Sequence, residues 1–318
     1  MQGMRSDLTT TRFYPKQNPA FRFFALWYFT ILLIVWTILG HTVLGFEQSY
    51  AQPIAGVACG ILVSMFLEAV DAGLNGRTPR FLLSKADFLG FLPPAIIPGL
   101  ACAMLIYAND RIAPVLFAVA LSIASKGLLR APVGGGRTQH VFNPSNLGIT
   151  ITLLLLPAVG LAPPYQFTEN ITGLWGWVIP AIILVSGITI HARFTGRLPL
   201  VAAWLGGFAL QGIVRAEIFH IPLVVPFVPM TSAAFILFTL YMIPDPATTP
   251  IKPLRQVAFG LSIAAVYGLL FVAHIVFGLF IALACISATR GIALYAAHLR
   301  RTFMPRPNVA IAAAAAGS

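Results

Sequence analysis

Two polar, proline-bearing stretches hold the residues best suited to chemistry. In the first, Lys126, Arg130, Arg137 and His140 surround Gly134, Gly135, Gly136 and the run Phe142-Asn143-Pro144-Ser145-Asn146. Pro144 fixes its own φ and turns Asn143 away from helix, and the glycines open backbone conformations closed to other residues. Ser145 or Asn146 is placed to cap the helix that follows, with free backbone N–H groups facing the loop. With Lys126, Arg130 and Arg137 beside it, such a start suits an anion, a flavin phosphate or a lipid headgroup. The same residues also read as a capped turn held by Asn143, with basic residues that only mark topology.

The second stretch is Ile243-Pro244-Asp245-Pro246-Ala247-Thr248-Thr249-Pro250. Its prolines forbid regular helix, Thr248 and Thr249 offer hydroxyls, and Lys252 and Arg255 offer charge. It reads equally as a site and as a connector capped by Asp245. A third constellation is Glu68, four residues before Asp71 and on the same helical face. An acid inside a membrane is costly without a partner, and Lys126 at comparable depth is the expected one. An interfacial acid is the alternative. Cys59, Cys102 and Cys285 are isolated in apolar runs and read as small buried hydrophobes. His41, His191, His220 and His274 lie near helix ends and read as packing residues, so no metal site is expected.

These stretches must be positioned by membrane helices. The chain has 318 residues, 58% hydrophobic and 9% charged, with mean hydropathy +0.87. Soluble domains carry about a quarter charged residues, so the fold class read here is an all-α polytopic membrane protein. Apolar segments fall at 21–46, 53–72, 88–108, 112–130, 146–163, 173–191, 198–214, 226–243, 256–272 and 276–292, each near the roughly 20 residues of a span. The last two are read as a hairpin turning near His274. Alternation over ten spans places 18 of the 20 Lys and Arg residues on one side, with only Arg111 and Arg215 opposite. The positive-inside rule makes the rich side cytoplasmic, with both termini there. Glu47, Asp110, Glu169 and Glu217 fall on the other side, where Trp175 and Trp177 open the sixth span. Residues 1–20 form a cytoplasmic arm, 21–292 the membrane domain, and 293–318 a disordered cytoplasmic tail. Two inverted five-helix repeats fit the count. The net charge of +11 is spread between apolar runs as topology signals, so nucleic acid is excluded as a partner.

The motif Val141-Phe142-Asn143-Pro144-Ser145-Asn146-Leu147-Gly148 resembles one in the RnfD membrane component of the Rnf electron-transport complex and in its NqrB counterpart of the Na⁺-translocating NADH:quinone reductase. The segment from Met230 to Pro250, followed by Arg255 and Phe259-Gly260, is similar to a second motif of that superfamily. Motif order, separation and helix count agree over about residues 21–292, and the compact UnbU-type branch associated with enediyne biosynthesis looks nearest. The resemblance implies a flavin-carrying electron-transfer subunit of a prokaryotic cytoplasmic (inner) membrane, working with other subunits. It also implies a flavin attached to a threonine of an extended outer loop, but the short Ala162–Asn170 loop lacks that signature, so no covalent flavin is expected.

The expectation is therefore a non-covalent flavin (FMN or riboflavin) or quinone at a cytoplasmic-side site built from Lys126, Arg130, Asn143, Ser145, Asn146, Asp245, Thr248, Thr249 and Arg255, with lipid around the chain. No dinucleotide-binding glycine motif follows a strand, so a redox partner would supply electrons. The alternatives are a permease or exporter of small molecules or ions, and a non-catalytic structural subunit.

Overall fold

A computed structural model describes residues 19–134, 136–163 and 169–303. The expectations for residues 1–18 and 304–318, and for the core of the Ala162–Asn170 loop, lie outside the described residues. Each apolar segment becomes a helical element. These are α1 (Pro19–Leu39), α2 (Ala51–Leu74), α3 (Lys85–Phe91 and Pro93–Leu105), α4 (Ala113–Leu128), α5 (Pro144–Leu155), α6 (Trp175–Ile190), α7 (Leu198–Phe219), α8 (Val225–Thr231, Ala233–Leu237 and Phe238–Met242), α9 (Pro253–Val272) and α10 (Gly278–Phe303). Among the described residues seven are long and apolar enough to cross a membrane, α8 is a bent pair, and α4 and α5 are shorter apolar helices. Ile54, Leu62 and Phe66 along α2 and Leu269 on α9 face outward, as lipid-facing positions must when lipid rather than water surrounds the fold.

The two halves repeat one packing plan. In the first, α1 packs on α3, α2 on α3 and α4, and α4 on α5; in the second, α6 packs on α8, α7 on α8 and α9, and α9 on α10. Local details repeat too. The α1 helix ends in a π-turn, Gly40–Leu44, closed by left-handed Gly45, and α6 ends in His191–Thr195, closed by left-handed Gly196. Both third elements are interrupted where prolines remove backbone donors: α3 at Leu92, before Pro93 and Pro94, and α8 at Ser232, after Pro226 and Pro229, where it bends by 77°. Five elements per half set the halves in opposite directions. The Gly45 turn lies against Asn170, and Gln48 just after it donates to the Met104 carbonyl beside the Ile106–Tyr107 and Gly160–Leu161 strand pair, whereas the Gly196 turn lies with the Thr249 segment at the other end.

Small residues bring the helices close. A Cβ on Gly56 would stand 2.8 Å from the Gly99 carbonyl oxygen between α2 and α3, and one on Gly260 would stand 2.7 Å from the Leu200 carbonyl oxygen between α7 and α9. Close backbone approach of this kind is how helices associate when burial in lipid gives no hydrophobic gain. The core of the second half is aromatic. Trp204 and Phe208, both fully buried, sit 5.5 Å apart between ring centroids, with Phe235 4.8 Å and Tyr267 5.3 Å from Phe208. The Trp204 indole donates to Thr239 Oγ1 at 2.9 Å, which satisfies its buried N–H.

One boundary differs from the sequence reading. The last helix runs on to Phe303 rather than ending at 292, so the expected tail is helical over 293–303; Arg300 and Arg301 in its last turn favour the C-terminal end of the helix dipole. The hairpin between the last two spans is present, turning through His274 and Phe277 with φ of 56° and 65°.

Candidate functional site

The polar loop after α4 is a β-hairpin. Arg130–Gly134 pairs antiparallel with Arg137–His140, in the register Arg130 opposite His140 and Ala131 opposite Gln139. Gly134 and Gly136, at φ of 94° and 69°, take the positive angles that its tight reversal needs. Much of the expected anion-binding charge is used inside the protein. Arg130 donates to Thr138 Oγ1 at 2.8 Å and to the Lys126 carbonyl at 3.1 Å, and Tyr295 donates to the Arg130 carbonyl. The Lys126 ammonium donates to the Pro94 carbonyl at the interruption of α3. Arg137 is exposed near the hairpin tip.

Asn143 caps α5. Its Oδ1 accepts from the Asn146 amide at 3.0 Å and from the Ser145 hydroxyl at 2.9 Å, while its Nδ2 donates to the Met242 carbonyl at 3.1 Å. Asn146 donates through Nδ2 to the Phe280 carbonyl at 3.1 Å on α10; its Oδ1 is buried without a hydrogen-bond partner among the described residues. One short run thus ties α5 to α8 and α10. The two motifs meet on the same side, since the start of α5 touches the end of α8 directly.

The Pro244–Pro250 segment is a self-capped turn. Asp245 accepts from the Ala247 amide at 2.9 Å and the Thr248 hydroxyl at 3.2 Å, and its carbonyl accepts from the Thr249 hydroxyl at 2.6 Å. The protein packed around Asp245 raises its carboxyl above the ordinary value of 3.8; the Ala247 amide, the Thr248 hydroxyl and the charges of Lys126 and Arg197 oppose that rise. Part of the Asp245 surface remains open, which moderates the effect. Thr248 and Thr249 are buried, whereas Arg255 is exposed on the first turn of α9.

Several residues that sequence reasoning gave no part in the site hold this region together. Arg197, 4% exposed, donates to Thr249 Oγ1 at 2.9 Å and to the Thr195 carbonyl at 3.1 Å. Gln139 reaches the Pro246 and Thr249 carbonyls by long bonds of 3.4 and 3.5 Å and accepts from Arg290 at 2.9 Å. Gln256 donates to the Gly196 and Ile251 carbonyls, and His191 bonds to the Leu240 carbonyl and Thr195 Oγ1. No local motif marks them; His191, Arg197 and Gln256 are polar residues at the ends of apolar runs, and Gln139 lies within the polar loop.

Glu68 does not pair with Lys126. It accepts from Arg77 at 2.6 Å and from the Arg80 amide at 3.0 Å, and Asp71 takes the other arm of Arg77. The chain turns back after α2, which brings Arg77 onto both acids, while Lys126 is drawn to Pro94. The two carboxylates hold the Arg77 guanidinium above its usual range. Glu68 therefore belongs to an interfacial ion cluster at the end of α2.

A cavity of about 890 Å³ opens at the opposite end, beside the broken α8. Its walls come from Leu105, Ala162, Trp177, Pro180, Ser232, Phe235, Phe238, Phe277 and Phe280, among others. The Ser232 and Thr231 hydroxyls on its rim bond to the Pro229 and Val228 carbonyls, so the lining is essentially apolar. Its inner end is the Phe238–Phe280 pair, with centroids 5.3 Å apart, and the Phe280 carbonyl holds Asn146 on the far side. Such a volume lies within the usual range for small-molecule sites, and an aromatic lining suits a flat ring. Compared with known protein families and with curated proteins, the chain matches none.

Proposed function

We propose that this chain is a carrier-binding membrane component of an electron-transfer assembly, a compact relative of the RnfD and NqrB superfamily of the Rnf complex and the Na⁺-translocating NADH:quinone reductase. On this reading it holds a quinone or a non-covalent flavin in the aromatic cavity, in a prokaryotic inner membrane with its basic side cytoplasmic, and exchanges electrons with partner subunits. The observation that carries the proposal is the cavity, with Trp177, Phe235, Phe238, Phe277 and Phe280 in its walls. The order of the two motifs and their meeting through Asn143 and Met242 support the kinship. On this reading the carrier sits in the cavity rather than at the expected cytoplasmic-side loops, whose polar groups are largely spent on internal bonds. The chain would supply binding and orientation, and the bound ring the redox chemistry. The test is an absorption spectrum and organic extract of the detergent-purified protein. Flavin in the supernatant after acid precipitation, or quinone in the extract, supports the proposal. Folded protein carrying neither contradicts it.

A permease is the second reading, favoured by the interruption of the corresponding elements α3 and α8 in inverted halves. Broken helices at matching positions are where transporters place their substrate sites. Solute flux into liposomes holding only this chain would favour it over the first reading.

A further inference from the structure

Three guanidinium groups gather on the basic side where the starts of α7 and α9 meet the middle of α10. Arg290 donates through Nη2 to Gln139 Oε1 at 2.9 Å, and Gln139 leans on the Pro246–Thr249 turn. Arg197 holds the same turn through Thr249, and both Arg197 and Arg255 lie near enough for their charges to act on Arg290. Among the described residues no carboxylate pairs with Arg290; the Asp245 carboxylate is taken by the Ala247 amide and the Thr248 hydroxyl. The other terminal nitrogen of Arg290, Nη1, is buried and has no hydrogen-bond partner among the described residues. A buried charged donor left unmatched is costly, and buried polar groups as a rule find acceptors. Gathered like charges also repel, and a bound anion relieves both costs at once.

We propose that Arg290 and Arg255, in the field of Arg197, bind a phosphate group. A guanidinium fork matches tetrahedral oxyanions, and the gathered charge favours a multiply charged ligand over a lone carboxylate. The phosphate belongs either to an anionic lipid headgroup or to a soluble phosphate compound. This site is at the opposite end of the molecule from the aromatic cavity and does not rest on the reading given to it.

The test uses the full chain in nanodiscs of neutral phosphatidylcholine, with inorganic pyrophosphate titrated against chloride at matched ionic strength. The expected result is a saturable rise in Tm. Arg290→Gln weakens the apparent affinity about tenfold or more, in line with loss of a charge-assisted pair, and Arg255→Gln weakens it severalfold. Arg137→Gln, at the hairpin tip, leaves it unchanged. Because Arg255 is exposed, its variant folds and decides the matter even if Arg290→Gln does not. Loss of the pyrophosphate response in nanodiscs containing phosphatidylglycerol assigns the site to a lipid headgroup, and its persistence there assigns it to a soluble phosphate. No saturable response in the wild type, or an equal response in Arg255→Gln, overturns the proposal.

Discussion

Removing Asn143 should loosen the joint between the halves. Its side chain is 7% exposed and makes three hydrogen bonds, two accepted at Oδ1 from Asn146 and Ser145 and one donated to the Met242 carbonyl. Asn143→Ala loses the α5 cap, worth about 1 kcal/mol. It also strips the Met242 carbonyl, within a buried stretch of α8, of its side-chain donor, which costs about 1–3 kcal/mol. The expected loss is about 2–4 kcal/mol. Asn143→Ser separates the two contributions: its hydroxyl still caps α5 but is too short to reach Met242, so it should recover about 1 kcal/mol. The assay is equilibrium unfolding in mixed micelles followed by tryptophan fluorescence. Asn143→Ala within about 0.5 kcal/mol of wild type, the range of an ordinary surface change, would refute the view that this residue clamps α5 to α8.

Three further outcomes follow. Gly148→Ala should cost more than about 2 kcal/mol, because its Cβ would run into the Ala118 carbonyl and the Ser122 hydroxyl, an overpacking clash against backbone; Gly206→Ala, with nothing within 4 Å, should be near neutral by the same unfolding assay. Asp245 has a folded-state pKa above its ordinary value of 3.8, so its contribution to stability is complete below pH 3.8 and is lost as pH rises through the folded value. Asp245→Asn should therefore be more stable than wild type at neutral pH and show a flatter melting profile upward from pH 3.8; an unchanged profile would count against the burial argument. Trp204→Phe should cost about 1–2 kcal/mol, because it leaves Thr239 without its indole donor and opens space in the aromatic core.

The membrane fold was legible because apolar runs of spanning length and a one-sided distribution of Lys and Arg are strong signals. The turn at His274 was legible too, since the apolar run there is longer than one span needs. The inverted halves were suggested by the count alone; their evidence, the matching π-turns closed by Gly45 and Gly196 and the interruptions at Leu92 and Ser232, lies in backbone geometry that residue types do not announce. The candidate site was read only in part. The cap was expected at Ser145 or Asn146, with a turn held by Asn143 as the alternative; Asn143 takes that place, and its second bond, to Met242, joins residues far apart in the chain. The pairing of Glu68 failed because similar depth in two helices does not decide which cation is closer, and a turn placed Arg77 first. Lys126 and Arg130 looked like ligand-binding charges because a sequence shows charge and hides the carbonyls that consume it. The aromatic cavity is assembled from α3, α6, α8 and α10, so no single stretch carries its signature.

The claim at the centre of this account is that the aromatic cavity holds a flat redox carrier. The most direct measurement compares flavin and quinone in extracts of detergent-purified wild type and of Ala162→Trp, in which an indole fills the cavity from its wall while the Ala162 backbone bond to Leu105 is kept. The account predicts a carrier bound to wild type and lost from the variant at unchanged folding. Equal carrier content in the two proteins, or none in folded wild type, would contradict it.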